Sequence, residues 1–101
     1  MAIFEDFEWD DGKARANLRK HKVNFEQAVL LFESRDLFED IQESGEYGEE
    51  RWVAVGRVGQ RVLYCVYVWR GPRRRIISLR RADATEIEEF ERWIAEDRRG
   101  F

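Results

Sequence analysis

Val62-Leu63-Tyr64-Cys65-Val66-Tyr67-Val68-Trp69 runs for eight residues without a charged side chain, and six of the eight are β-branched or aromatic. A strand with one wet face shows a polar residue at every second position. This one shows none, so it reads as a strand covered on both sides. Trp52-Val53-Ala54-Val55 precedes it across a turn at Gly59, and Gly71-Pro72 turns the chain into Arg75-Ile76-Ile77-Ser78-Leu79-Arg80. Connections this short join antiparallel neighbours. Leu37 to Ile41 adds a further short strand, followed by the polar loop Gln42-Glu43-Ser44-Gly45-Glu46-Tyr47-Gly48. The result is an antiparallel meander of about four strands.

Helical periodicity frames the meander on both sides. Asp10 or Asp11 can accept the free amides of a first helix, with Ala14 and Leu18 on its apolar stripe and Arg19, Lys20 and Lys22 toward its end near His21. Asn24 with Gln27 opens a second helix, with Val23 and Ala28 as its staple. Asp83 with Glu86 is another capping box. It opens a helix whose Ile87, Phe90 and Ile94 share a face and which reaches toward Arg98. The expected fold is α+β: two N-terminal helices, the meander and a C-terminal helix in one domain spanning 1–101.

Composition narrows the function classes. The lone cysteine, Cys65, lies inside the apolar run, so it reads as core and cannot form an internal disulfide or a multi-cysteine metal site. No apolar stretch reaches the ~20 residues needed to span a bilayer, and the acidic start lacks the pattern of a signal peptide. The expectation is a cytoplasmic protein with no membrane association. The net charge of −3 hides an uneven distribution, because residues 51–81 carry nine arginines and no acid, between acidic flanks. Arginine's planar fork matches phosphate oxygens. A polyanion or an acidic partner is the natural complement, and pairing with the flanking acids is the structural alternative.

The segments placed above also carry a likeness. Phe7-Glu8-Trp9-Asp10, Lys13, Asn17, Lys20-His21, Val23-Asn24-Phe25-Glu26, Ala28 and Phe32 resemble the opening of the BrnT toxins. Gly48-Glu49-Glu50-Arg51, Gly56, Leu63, Val66-Tyr67, Arg75-Ile76-Ile77-Ser78, Arg80, Ala82 and Glu86 resemble the remainder. The resemblance implies a fold akin to the RelE-like toxins, ribonuclease activity without a cofactor or metal, and a ribbon-helix-helix antitoxin that also binds DNA. Lys22 stands where a glycine commonly follows the Lys-His pair, Val68-Trp69 replaces a more polar pair, Leu79 a small residue, and Phe90 a tyrosine. Lysine adopts the left-handed cap conformation less readily than glycine, so His21 is open to a different aim.

Cleaving RNA without a metal needs a proton acceptor for a ribose 2′-hydroxyl, cations for the charge at phosphorus, and a proton for the leaving oxygen. His21 is the only histidine and can exchange protons near neutral pH, or it can simply cover the helix end. The resemblance points to Arg51, Arg75 and Arg80 as the cations, with Lys20, Arg73 and Arg74 as further RNA contacts. In a regular strand Arg75 and Arg80 face opposite sides, and Arg80 shares the face of Ile76 and Ser78; only a bulge or a strand end lets the two act together. Arg80 is the preferred candidate, with an ion pair to Glu86 as its structural alternative. Tyr67 and Trp69 can stack on a base or belong to the core.

Overall fold

The computed structural model describes residues 2–4, 6–42 and 49–99, so the expected polar loop through Gly48 lies largely outside the described residues. The elements are β1 (Ala2–Phe4), β2 (Phe7–Trp9), α1 (Asp11–His21), α2 (Gln27–Phe32), β3 (Leu37–Gln42), β4 (Arg51–Val58), β5 (Arg61–Arg70), β6 (Arg73–Arg81) and α3 (Ala84–Arg99). They form an α+β fold around one sheet of order β1-β2-β6-β5-β4-β3. The meander β3 to β6 is antiparallel throughout, as the turn residues predict. Arg70 pairs with Arg73 across Gly71-Pro72, and Gly71 has φ 59. Proline fixes a negative φ at the second central position, which leaves a type II′ turn, the kind that matches strand twist.

Two strands escape the sequence patterns. β1 pairs antiparallel with β2, and β2 adds to β6 in parallel through Phe7↔Arg74 and Glu8↔Arg75. Three residues are too few to show a period of two, and a parallel neighbour so far away in sequence leaves no local signature.

β5 has both faces covered. Leu63, Cys65 and Tyr67 join Phe7, Trp9, Phe25, Leu31, Ile76 and Leu79 in a core under α1 and α2. Tyr64 and Val66 point the other way, into a smaller core with Val53, Val55, Phe90 and Trp93 under α3. At Gly56 the helix α2 comes so close to β4 that a Cβ would lie 2.7 Å from Leu31 Cδ1 and from Ser34 Oγ.

The helix ends follow local chemistry. Asp10 caps α1 by accepting from Lys13 N at 2.9 Å. Asn24 Oδ1 accepts from Glu26 N, and the next amides close i→i+3 turns, so regular helix begins at Gln27, later than a cap at Asn24 predicts. Asp83 and Glu86 form the reciprocal capping box of α3 at 2.9 and 2.8 Å.

Lys22 takes the left-handed conformation, φ 60 and ψ 28, and its amide donates to Leu18 O. α1 therefore ends as it would with glycine there. The strain falls on a residue with a Cβ, at a cost of about 1–2 kcal/mol.

Candidate functional site

β6 carries four of the seven candidate residues, Arg73, Arg74, Arg75 and Arg80. Its register against β5 pairs Val66 with Ser78 and Tyr67 with Ile76, leaving Ile77 as an extra residue in a bulge. Ile76 and Leu79, three apart, therefore both enter the core under α1 and α2. Arg75 and Arg80, five apart, both lie on the α3 face. The exception allowed for Arg75 and Arg80, a bulge, is present, and the regular-strand grouping is corrected: Arg80 shares its face with Ser78 but not with Ile76. The cause is the bulge, which shifts the alternation by one residue.

Register then lays out the α3 face in rows. Phe38, Val55, Tyr64 and Arg80 form one row, and Asp40, Val53, Val66 and Ser78 form the next. The third row runs from Gln42 and Arg51 to Val68, Arg75 and Glu8. Arg80 and Arg75 are thus two rows apart, with Ser78 between them.

At its end of the strand, Arg80 makes a two-pronged ion pair with Glu86, at 2.7 and 2.8 Å, and its guanidinium lies 4.2 Å from the centre of the Tyr64 ring. Hydrogen bonding from Arg80 holds the Glu86 carboxyl below its ordinary value. Burial raises the Tyr64 phenol, and the charge of Glu86 adds to the shift. The structural alternative foreseen for Arg80 is thus present. An apolar groove of ≈ 250 Å³ beside this pair is walled by Phe38, Val55, Phe90 and Trp93.

At the opposite end, Arg75 donates to Glu8 at 2.8 Å, with both side chains mostly buried. Arg70 bonds to Glu49, and this hydrogen bond, helped by the charges of Arg70, Arg51 and Arg75, holds the exposed Glu49 carboxyl below its ordinary value. Among the described residues Arg51, Arg70, Arg75, Glu8 and Glu49 are therefore linked electrostatically. Neither Arg70 nor Glu49 was a site candidate from sequence, where Glu49 stood only within the quoted Gly48-Glu49-Glu50-Arg51 stretch. Arg70 is one of nine arginines in its block, and nothing local marks its partner.

Arg74 points to the other face. Its guanidinium lies 4.3 Å from the Phe32 ring centre and 4.6 Å from that of Trp69, and it pairs with Glu39 at 3.3 Å. Tyr67, fully buried, donates its hydroxyl to the same carboxylate. Burial and that hydrogen bond push the Tyr67 phenol up. Burial likewise raises the Cys65 thiol, as a core cysteine requires. Arg74 is thus placed as part of the packing, whereas Arg73 stands beside the turn, half-buried.

His21 is the last residue of α1 and half-buried. What positions it is Asn17, one turn earlier on the same side. The buried Asn17 amide donates to Leu79 O at 2.7 Å and to Val23 O at 3.0 Å, and its oxygen accepts from Leu79 N at 3.2 Å. β2 pairs only with the start of β6, and Asn17 satisfies the uncovered edge at Leu79 as a strand would. His21 therefore sits toward the Arg80 end of β6, away from the Arg51–Arg75 end. Lys20 beside it is exposed.

Among the described residues no three His, Cys, Asp or Glu side chains gather as a metal site, and no helix is long and apolar enough to cross a membrane. A comparison with curated proteins gives no match. The family described as "Ribonuclease toxin, BrnT, of type II toxin-antitoxin system" matches residues 9–86, from the end of β2 to the Glu86 that holds Arg80. Over three-quarters of its length, the chain belongs to this family of type II toxin–antitoxin ribonuclease toxins.

Proposed function

We propose that the chain is a metal-independent endoribonuclease whose single domain lays RNA across the α3 face of the sheet and the adjoining edge of β6. The observation that carries this reading is the bulge at Ile77, which places Arg75 on the same face as Arg51 and Arg80. Arg51 and Arg75 hold phosphate oxygens, and Lys20 and Arg73 add contacts at the margins. Arg80 stabilises charge developing at phosphorus while Glu86 fixes its orientation.

His21 takes the proton of the ribose 2′-hydroxyl as that oxygen attacks the adjacent phosphorus. The bond from phosphorus to the 5′ oxygen breaks, that oxygen takes a proton from water, and His21 returns its own proton to solvent. The products are a 2′,3′-cyclic phosphate and a 5′-hydroxyl.

The partner in this reading is a ribbon-helix-helix antitoxin that covers the arginine-rich end with acidic side chains, in the cytoplasm where both proteins meet RNA. Inhibition is then occlusion, and RNA and antitoxin compete. The deciding experiment is purified protein incubated with RNA in a chelator. Cleavage should persist, and His21→Ala should lower it about 10²- to 10⁴-fold, with circular dichroism unchanged. Cleavage that needs an added divalent ion, or that His21→Ala leaves intact, refutes the mechanism. For charge steering of the antitoxin, Arg51→Glu with Arg70→Glu is the informative pair. Arg74 is unsuitable because its reversal would disrupt the aromatic packing around it.

A further inference from the structure

We propose that Trp69 is a stacking platform for an unpaired base of the RNA, so that the substrate is gripped on both sides of the β5–β6 hairpin. The inference rests on the nucleic-acid reading above and adds a contact that the arginines cannot supply. Trp69 is 40% exposed, although the aromatic neighbours on its face, Tyr67 and Trp52, are buried or half-buried. Arg74, its cross-strand neighbour, lays a guanidinium 4.6 Å from the indole centre, and Tyr67 meets the ring edge-on at 83° with centroids 5.8 Å apart. Among the described residues these two brace the indole, which still keeps 40% of its surface exposed. A ring braced in this way is preorganised, so a base that stacks on it need not order it first.

Position supplies the second half of the argument. Trp69 is one residue from Arg70 and lies at the same end of the sheet as Arg51 and Arg75, but on the opposite face. A single strand passing over the hairpin tip can leave its phosphates with Arg51, Arg70 and Arg75 while a base turns over the edge onto Trp69. An aromatic platform beside a cationic track is how proteins hold single strands, whereas bases stacked within a duplex cannot reach such a ring. The surroundings favour nucleic acid over protein, because arginines border Trp69 at the hairpin tip: Arg74 against the indole on its own face, and Arg70 and Arg73 just over the edge on the other. A protein interface would want a contiguous apolar centre there.

The test uses a six-nucleotide single strand, methylated at every 2′ oxygen to block cleavage, with all six bases or as the abasic sugar–phosphate chain. Binding to the full-length protein is measured by fluorescence anisotropy across a salt series. The wild type should prefer the strand with bases by about 5- to 30-fold. Trp69→Ala should remove most of that preference with an unchanged salt slope, and Trp69→Phe should keep most of it. Equal affinity of the wild type for both strands overturns the platform while leaving the nucleic-acid reading in place, and this arm needs no variant to fold. Failure of the wild type to bind either strand overturns that reading itself. A Trp69→Ala variant that keeps the base preference but escapes the antitoxin assigns the ring to the protein partner and overturns the proposal.

Discussion

Asn17→Ala should be among the most damaging single changes in the chain although the residue is polar and belongs to neither core cluster. Its amide makes three hydrogen bonds, to Leu79 N, Leu79 O and Val23 O, from a buried position. Each buried backbone group left without a partner costs about 1 kcal/mol or somewhat more. With partial relief from entering water, the sum is roughly 2–4 kcal/mol. For a domain of this size that lowers the midpoint of thermal unfolding by about 10–20 °C. Urea melts would give the free energy, and hydrogen exchange at the Leu79 amide would report the local loss. Cleavage should fall beyond what stability explains, because α1 carries His21 and is held to the edge of β6 at this point. A loss below about 1 kcal/mol, with Leu79 still protected, would show that water replaces the amide and that Asn17 does not fasten the helix.

Lys22→Gly should raise stability by about 0.5–1 kcal/mol, the relief at a left-handed residue less the entropy glycine adds to the unfolded chain; an unchanged urea midpoint would contradict the strain assigned to Lys22. Gly56→Ala should cost about 1–3 kcal/mol, because the added methyl meets Leu31 and Ser34 at 2.7 Å. A melt equal to wild type would mean that α2 yields freely. Glu86→Gln should lower stability by on the order of 1 kcal/mol at neutral pH. The folded carboxyl titrates below its unfolded value, so the contribution of Glu86 is present above pH ~4.5 and is lost as pH falls through the folded value. The gap between the two proteins should therefore close toward pH 3, and a gap that widens in acid would reverse the sign.

Reading the sequence recovered the elements whose signals are local. The helix limits at Asp10 and His21, the turn at Gly71-Pro72 and the box from Asp83 to Glu86 are set by neighbouring residues, and each lies where its chemistry put it. The candidate site was legible in residue type but not in placement. Nothing in Arg-Arg-Arg-Ile-Ile-Ser-Leu-Arg announces that Ile77 bulges, so a bulge could be named only as the exception to the parity that separates Arg75 from Arg80. Arg74 shows the same gap. Flanked by two arginines it resembles a phosphate contact, yet Phe32, Trp69 and Glu39, from three other elements, claim its guanidinium. Long-range partners of this kind have no periodicity to read.

The bulge at Ile77 also determines how the chain tolerates gain and loss of residues. In its facing pattern β6 behaves as though Ile77 were not there: Ile76 and Leu79 go one way, Arg75 and Arg80 the other, as in a regular strand one residue shorter. Deleting Ile77 should therefore leave every side chain on its present face. An insertion that regularised the pairing with Ile77 retained would instead turn Arg73 to Ile76 over as a block, exposing Ile76 and moving Arg75 across the sheet. Two relatives whose arginines stand four and five residues apart can thus present the same surface, and linear spacing is a poor guide to kinship of function in this strand.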